Sequence, residues 1–390
     1  MTLIDTSDAL AAFCRRQAPA PYITVDTEFI RDKTYFPQLC LVQIAGPDEA
    51  AALDPLAAGI DLAPLFELMA APSLLKVFHA ARQDIEIFVN LAGAVPAPLF
   101  DTQVAAMVCG FGDSVSYETL AGKLAGAHID KSSRFTDWSQ RPLSERQLRY
   151  ALTDVVPLRT VYEKLAARLA KSGRSSWLAE EMGTLTDPAT YRQDPAEAWR
   201  RFKVRSNNRK LLALVRELAA WRETAAQQRN LPRNRLLRDE SLLEIAAHAP
   251  ANVADLARTR GLGKNFAEGK LGGEILAAVQ RVLATPESQY PVPPPRHEPP
   301  PGLGPLVDLL RVLLKLRCEE NDVAQKLVAD TEDLEKIAAD DDAPVRALQG
   351  WRADLFGKDA LDLKRGRLAL TAAGKRIKLV RLGSAAEAAQ

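Results

Sequence analysis

Two apolar periods alternate along the first 170 residues. "PYITVDTEFI" (21–30), "LCLVQIAG" (39–46) and "EAAALDP" (49–55) are short apolar runs in close succession, which predicts an antiparallel meander of three strands. "DLAPLFELMA" (61–70) then reads as a helix and "LLKVFH" (74–79) as a strand. "ARQDIEIFVNLAG" carries Ile85, Phe88 and Leu91 at helical spacing and ends at Gly93. "PLFDTQVAAMVCG" continues as a strand end and a helix; "SYETLAGKLAG" and "SERQLRYALTDVVPLRTVYEKLAARLA" are helical. Strands alternating with helices predict a mixed α/β layer fold for about residues 1–170.

The strand period fades after residue 195. Residues 208–229 form an amphipathic helix with Leu211, Leu212, Val215, Leu218 and Trp221 on one face. Three shorter helical segments follow, which predicts a small all-helical domain at 205–285. Residues 286–305 hold nine of the 25 prolines, so 286–302 reads as a semi-rigid linker. The segment 303–381 reads as a second all-helical unit with similar spacing, a diverged copy of the first.

Composition adds little to this division, but charge sharpens it. The 390 residues are 47% hydrophobic and carry a formal net charge of +1. Residues 1–170 nevertheless hold 15 basic and 20 acidic residues, whereas 200–238 hold 12 basic and 2 acidic. An acidic unit joined to a basic one suits metal or catalytic chemistry beside polyanion binding. The four cysteines form no CxxC motif, which leaves zinc and redox motifs without support. No secretory leader pattern and no run of about 18 apolar residues is visible, so a cytoplasmic protein without a membrane span is expected.

The candidate chemistry lies in carboxylates. Asp26 and Glu28 leave one strand on the same side, because side chains alternate. Such a pair is unfavourable unless a positive charge lies between its members. Asp84 opens a helix, and Tyr150 and Asp154 share a helix face at i, i+4. Oxygen ligands of this kind suit hard divalent cations. Two such ions about 4 Å apart can clamp the attacking and leaving oxygens of a phosphodiester. Asp101 is expected to cap a helix and His79 to satisfy a local hydrogen bond. "GLGKNFAEG" (261–269) departs from the P-loop pattern.

"VDTEFIRDKTYFPQLCLVQIA", "VFHAARQDIEIF" and "RYALTDVVPLRTVYEKL" resemble, in order, the three motifs of DEDD-superfamily 3′–5′ exonucleases. The Tyr150–Asp154 pair resembles the subgroup with tyrosine in the third motif. "FTDWSQRPLSERQLRYALTDV" is similar to the bacterial ribonuclease D family, and the segments within 211–280 resemble its HRDC domain. The resemblance implies an α/β ribonuclease H-like exonuclease domain with a mixed sheet (1–195). Two all-helical HRDC-type domains would follow, at 205–285 and 303–381. It implies two divalent ions, Mg²⁺ or Mn²⁺. Asp26 would bridge both, Glu28 and Asp154 would hold the ion carrying the nucleophilic water, and Asp84 would hold the second. Tyr150 would orient the nucleophile, and Phe29 would lie against the terminal base or sugar.

"WRRFKVRSNNRK" (199–210) interleaves Trp199 and Phe202 with six basic residues. That pattern suits a single-stranded backbone, with Arg200, Arg201, Lys203 and Arg205 as phosphate contacts and Trp199 in the helical core. A second basic run, 364–381, has seven basic residues and no acidic one. The expected activity is 3′–5′ exoribonuclease release of 5′-mononucleotides by a monomer. The expected substrate is RNA with a single-stranded 3′ end, such as a tRNA precursor. The rivals are a DNA 3′ exonuclease of the same fold and an inactive nucleic-acid-binding scaffold.

Overall fold

The apolar runs at 22–53 assemble as the alternation predicts. A computed structural model describes residues 2–129, 136–202, 204, 206–293 and 300–382. Strands β1 (Thr2–Ile4), β2 (Tyr22–Ile30), β3 (Gln38–Ala45), β4 (Ala50–Leu53), β5 (Leu75–Phe78) and β6 (Leu99–Asp101) form one sheet in the order β1-β4-β3-β2-β5-β6. The predicted meander β2-β3-β4 is antiparallel, while β1, β5 and β6 pair in parallel. The sheet is therefore mixed. β1 has three residues, too few to show a period, and was not anticipated from the pattern.

Helices α1 (Ser7–Gln17), α2 (Ala63–Ala70), α3 (Arg82–Ala92), α4 (Thr102–Val108), α5 (Tyr117–Ala125), α6 (Glu145–Thr153), α7 (Val156–Ser172) and α8 (Ser175–Thr186) complete the first unit. Gly93 ends α3 in the left-handed conformation, at φ +74°. Leu91 faces solvent, and Ile87 takes the expected core position beside Ile85 and Phe88. The long helix expected at 144–170 breaks at Asp154–Val155, and Pro157 lies in the first turn of α7, where its missing N–H costs nothing. Thr24 donates to the Val155 carbonyl at 2.8 Å, which ties β2 to this break.

The second unit comprises α9 (Arg209–Arg229), α10 (Arg233–Leu236), α11 (Asp239–His248), α12 (Val253–Leu256), α13 (Lys264–Glu268) and α14 (Lys270–Ala284). Its own core includes Val215, Leu218, Leu242, Ile245, Ile275 and Val279. Part of the proline-rich segment belongs to it. Tyr290 is buried there, donates to the Val282 carbonyl at 3.1 Å, and its own carbonyl accepts from Arg209 at 2.6 Å. The expected linker therefore does not begin at 286, since the chain through Tyr290 packs on this unit; residues 294–299 lie outside the described residues.

The third unit comprises α15 (Gly304–Glu320), α16 (Gln325–Val328), α17 (Thr331–Ala339) and α18 (Gly350–Arg352), the last running through a π turn into α19 (Lys358–Lys364). It is not all helical. Leu368–Ala373 (β7) and Arg376–Arg381 (β8) form an antiparallel hairpin about Gly374, whose φ of +65° suits a tight turn. The alternating "IKLV" carries a strand period that the density of basic residues obscured. This unit is also not separate, because its apolar residues share one continuous core with the exonuclease unit. The Ala324 amide donates to the Met107 carbonyl at 2.9 Å. Gly110 approaches Asp322 so closely that a Cβ there would lie 2.7 Å from the Asp322 carbonyl oxygen.

Candidate active site

Each element delivers one part of the site. β2 carries Asp26 and Glu28, with a register shift between Glu28 and Phe29 where β2 pairs with β3. α3 presents Asp84 in its first turn, buried, accepting from Thr27 Oγ1 at 2.5 Å. α6 starts at a capping box: Ser144 Oγ accepts from the Gln147 amide and Gln147 Oε1 accepts from the Ser144 amide. Tyr150 follows on this helix, and Asp154 forms its C-cap. All five residues, with Phe29, line one cavity of about 470 Å³. Asp26, Glu28 and Asp154 each place a carboxylate oxygen within 4.8 Å of the other two.

Electrostatics sharpens the grouping. Burial pushes the Asp26 carboxyl well above the usual carboxylate range, and Asp154 beside it pushes further in the same direction. Asp84 is raised likewise, first by burial and then by Asp26, against the hydrogen bond from Thr27. Carboxylates that raise one another by proximity are a donor set for a hard divalent cation. The residues present fit that group.

Sequence reasoning missed the far wall. Gln103, Ser116, Tyr117 and Glu118 line the same cavity. Tyr117 donates to the Thr153 carbonyl at 3.0 Å, and burial pushes its phenol far up, with Asp154 next among the causes. No spacing signal marks these residues, because α5 reaches the site only through the tertiary fold. Asp101 caps α4 as expected, accepting from the Gln103 and Val104 amides at 2.7 and 3.4 Å. It does more, accepting also from the Ala80 and Ala81 amides at 3.1 and 2.8 Å, and so fixes the turn that launches α3 and Asp84. His79 makes the expected local contact, Nδ1 to Thr102 Oγ1 at 3.0 Å.

The basic stretch lies elsewhere. Arg200 pairs with Glu197 and stacks on Trp199, while Arg201 pairs with Glu223 at 2.9 Å. Trp199 and Phe202 pack against the helical core half-buried, and Phe202 lies beneath Arg222. Lys203 and Arg205 lie outside the described residues.

A mixed sheet with clustered carboxylates, followed by a helical domain rich in basic residues, defines the class: a 3′–5′ exonuclease with an appended helical module. A family model described as a 3′-5′ exonuclease matches residues 1–170, and one for the HRDC domain matches 212–279. Ribonuclease D of Acidiphilium cryptum is 54% identical over 97% of this chain and 97% of its own length. Ribonuclease D of Granulibacter bethesdensis is 52% identical over 98% of this chain and 97% of its own. Among solved structures, Escherichia coli RNase D, an exoribonuclease involved in structured RNA processing, superposes with a TM-score of 0.80 at 30% identity. That match covers 94% of this chain and 98% of that one. The chain belongs to the ribonuclease D family and is, with that family, a 3′–5′ exoribonuclease. Among the described residues no helix is long and apolar enough to cross a membrane.

Proposed function

We propose that the chain trims RNA 3′ ends one nucleotide at a time, releasing 5′-mononucleotides, and acts in the cytoplasm as a monomer. Structured RNA with a single-stranded 3′ tail, such as a tRNA precursor, is the proposed substrate. The convergence of Asp26, Glu28, Asp84, Tyr150 and Asp154 on one cavity carries this reading. Asp26, Glu28 and Asp154 would hold one divalent ion, and Asp84 with Asp26 a second, Mg²⁺ or Mn²⁺. Such ions, when bound, supply an activated water and offset charge on the phosphate. Tyr150 orients the attacking oxygen by hydrogen bond, and Phe29 lies against the terminal base or sugar.

The test is digestion of matched 3′-labelled RNA and DNA with Mg²⁺ or Mn²⁺. RNA is expected to yield labelled 5′-mononucleotide and to be consumed faster than DNA; no mononucleotide from RNA defeats the reading. Asp26→Asn should abolish turnover and keep RNA binding. Tyr150→Phe should slow turnover by about 10²-fold, the cost of one positioned hydrogen bond in a transition state.

A further inference from the structure

A second polar cavity, of about 330 Å³, lies at the junction between the exonuclease and helical units. Arg31 and Tyr35 line it from the segment after β2; Arg201, Arg222, Arg233 and Asn234 line it from the helical side. The four guanidiniums have three carboxylate partners. Arg31 forms a fork with Glu86 at 2.7 and 3.0 Å, and Arg222 pairs with Asp239, which also lines the cavity, at 2.7 Å. Arg201 and Arg233 share Glu223. One positive charge is left over among these groups.

Glu223 cannot take up that surplus. Its side chain is 1% exposed and accepts from both arginines and from the Tyr35 hydroxyl. Burial opposes its charge, but the hydrogen bonds from Arg233 and Tyr35 prevail and hold its carboxyl below the usual range. Arg201 uses Nε and Nη2, and Arg233 uses Nε and Nη2. The Nη1 group of each makes no hydrogen bond among the described residues. Tyr35 and Phe36 amides donate to Asn230 at 3.1 and 3.0 Å, so the exonuclease segment is held against the helical side. The cavity is thus built, walled by planar forks, and short of one negative charge.

We propose that this junction cavity binds one backbone phosphate of the RNA, a few nucleotides from the scissile end. Guanidinium forks match phosphate oxygens in geometry and charge. Arg31, three residues after Glu28, pairs with Glu86, two residues after Asp84, so this wall of the junction cavity is built from the same β2 and α3 segments that carry the catalytic carboxylates. The proposal rests on the RNA reading above.

The full chain tests it with single-stranded RNA in which one linkage at a time is a neutral methylphosphonate. In the wild type one neutral linkage, at a fixed distance from the 3′ end, is expected to weaken binding several-fold. In Arg201→Gln, where Arg233 still holds Glu223, the same linkage should cost nothing further. The slope of log affinity against log salt should fall by about 0.7, the value for one lost single-strand phosphate contact. Arg201→Lys, which keeps charge but not the fork, should fall between the two. Equal linkage costs in wild type and Arg201→Gln at every position would overturn the site. So would a melting-temperature shift with inorganic phosphate alone and no linkage coupling, which would make it a site for the free anion. Wild-type hydrolysis of unmodified RNA, run alongside, reports separately on the catalytic reading.

Discussion

Asp26 and Asp84 work against the fold that holds them. Asp84 is buried and Asp26 half-buried, and protonation of both carboxyls is favoured in the folded chain relative to the unfolded one. Between the ordinary carboxylate pKa of about 3.9 and the raised native value, the folded state binds more protons. Stability of the metal-free protein therefore falls as pH rises through that window. Asp84→Asn keeps an oxygen for the Thr27 hydroxyl and removes the charge. It should raise the melting temperature of the metal-free protein at pH 7 by about 2 °C or more and flatten its pH dependence. Mg²⁺ should then stabilise the parent more than the variant. Melting curves across pH, with and without Mg²⁺, check this; a lower melting temperature for the metal-free variant at pH 7 would contradict it. Strand alternation put Asp26 and Glu28 on one face, and helical spacing put Tyr150 with Asp154; that these residues belong to one site was legible only from the order of the three motifs and their resemblance to the exonuclease set. The second task of Asp101 was not legible, because it depends on β6 lying beside the turn before α3.

At the scale of elements, α8 is the clamp between the first and third units. Arg352 from α18 is 1% exposed and pairs with Glu180 and Glu181, while donating to the Leu327 carbonyl at 2.7 Å. Arg346 adds a contact to Glu181 at 2.9 Å, and Trp177 stacks on Trp351 at 4.3 Å between ring centroids. Losing one partner of a buried pair costs about 3–5 kcal/mol when the other charge is left alone; Arg346 stays on Glu181 here, so the lower end of that range applies. Arg352→Met should cost that much by chemical denaturation, and Glu181→Gln in the same chain should recover part of it. Additive losses would show that the pair is not the coupled unit the geometry describes. α3 and α9 were legible from apolar period, whereas α1 and α8 themselves were not anticipated from it. The hairpin β7–β8 was not, because its alternation lies inside a run of basic residues that invites a solvated reading. The break between α6 and α7 carried its signal in Pro157.

On the scale of the whole molecule, two kinds of appendage follow one catalytic unit. The helical domain around α9 and α14 has its own core and meets the exonuclease unit through the polar junction at Tyr35. The third unit has no such independence: Val307, Leu310, Leu313 and Phe356 belong to the same core as Met107, Leu169, Leu178 and Met182. Periodicity shows that a helix has an apolar face but not which distant face covers it, so this difference was invisible in the sequence. It changes what truncation does. A chain ending at residue 293 uncovers α4 and α8, and it should melt about 10 °C or more below the full chain, since several kcal/mol of packing is lost. Hydrolysis of a short oligonucleotide, which needs only the catalytic cavity, should fall with it at 37 °C and recover on cooling. Full activity and an unchanged melting temperature in that truncation would mean that the third unit contributes contacts to RNA alone. A lowered melting temperature with recovery on cooling would place its first role in the fold, by way of α4, whose N-cap Asp101 also sets the turn that aims Asp84.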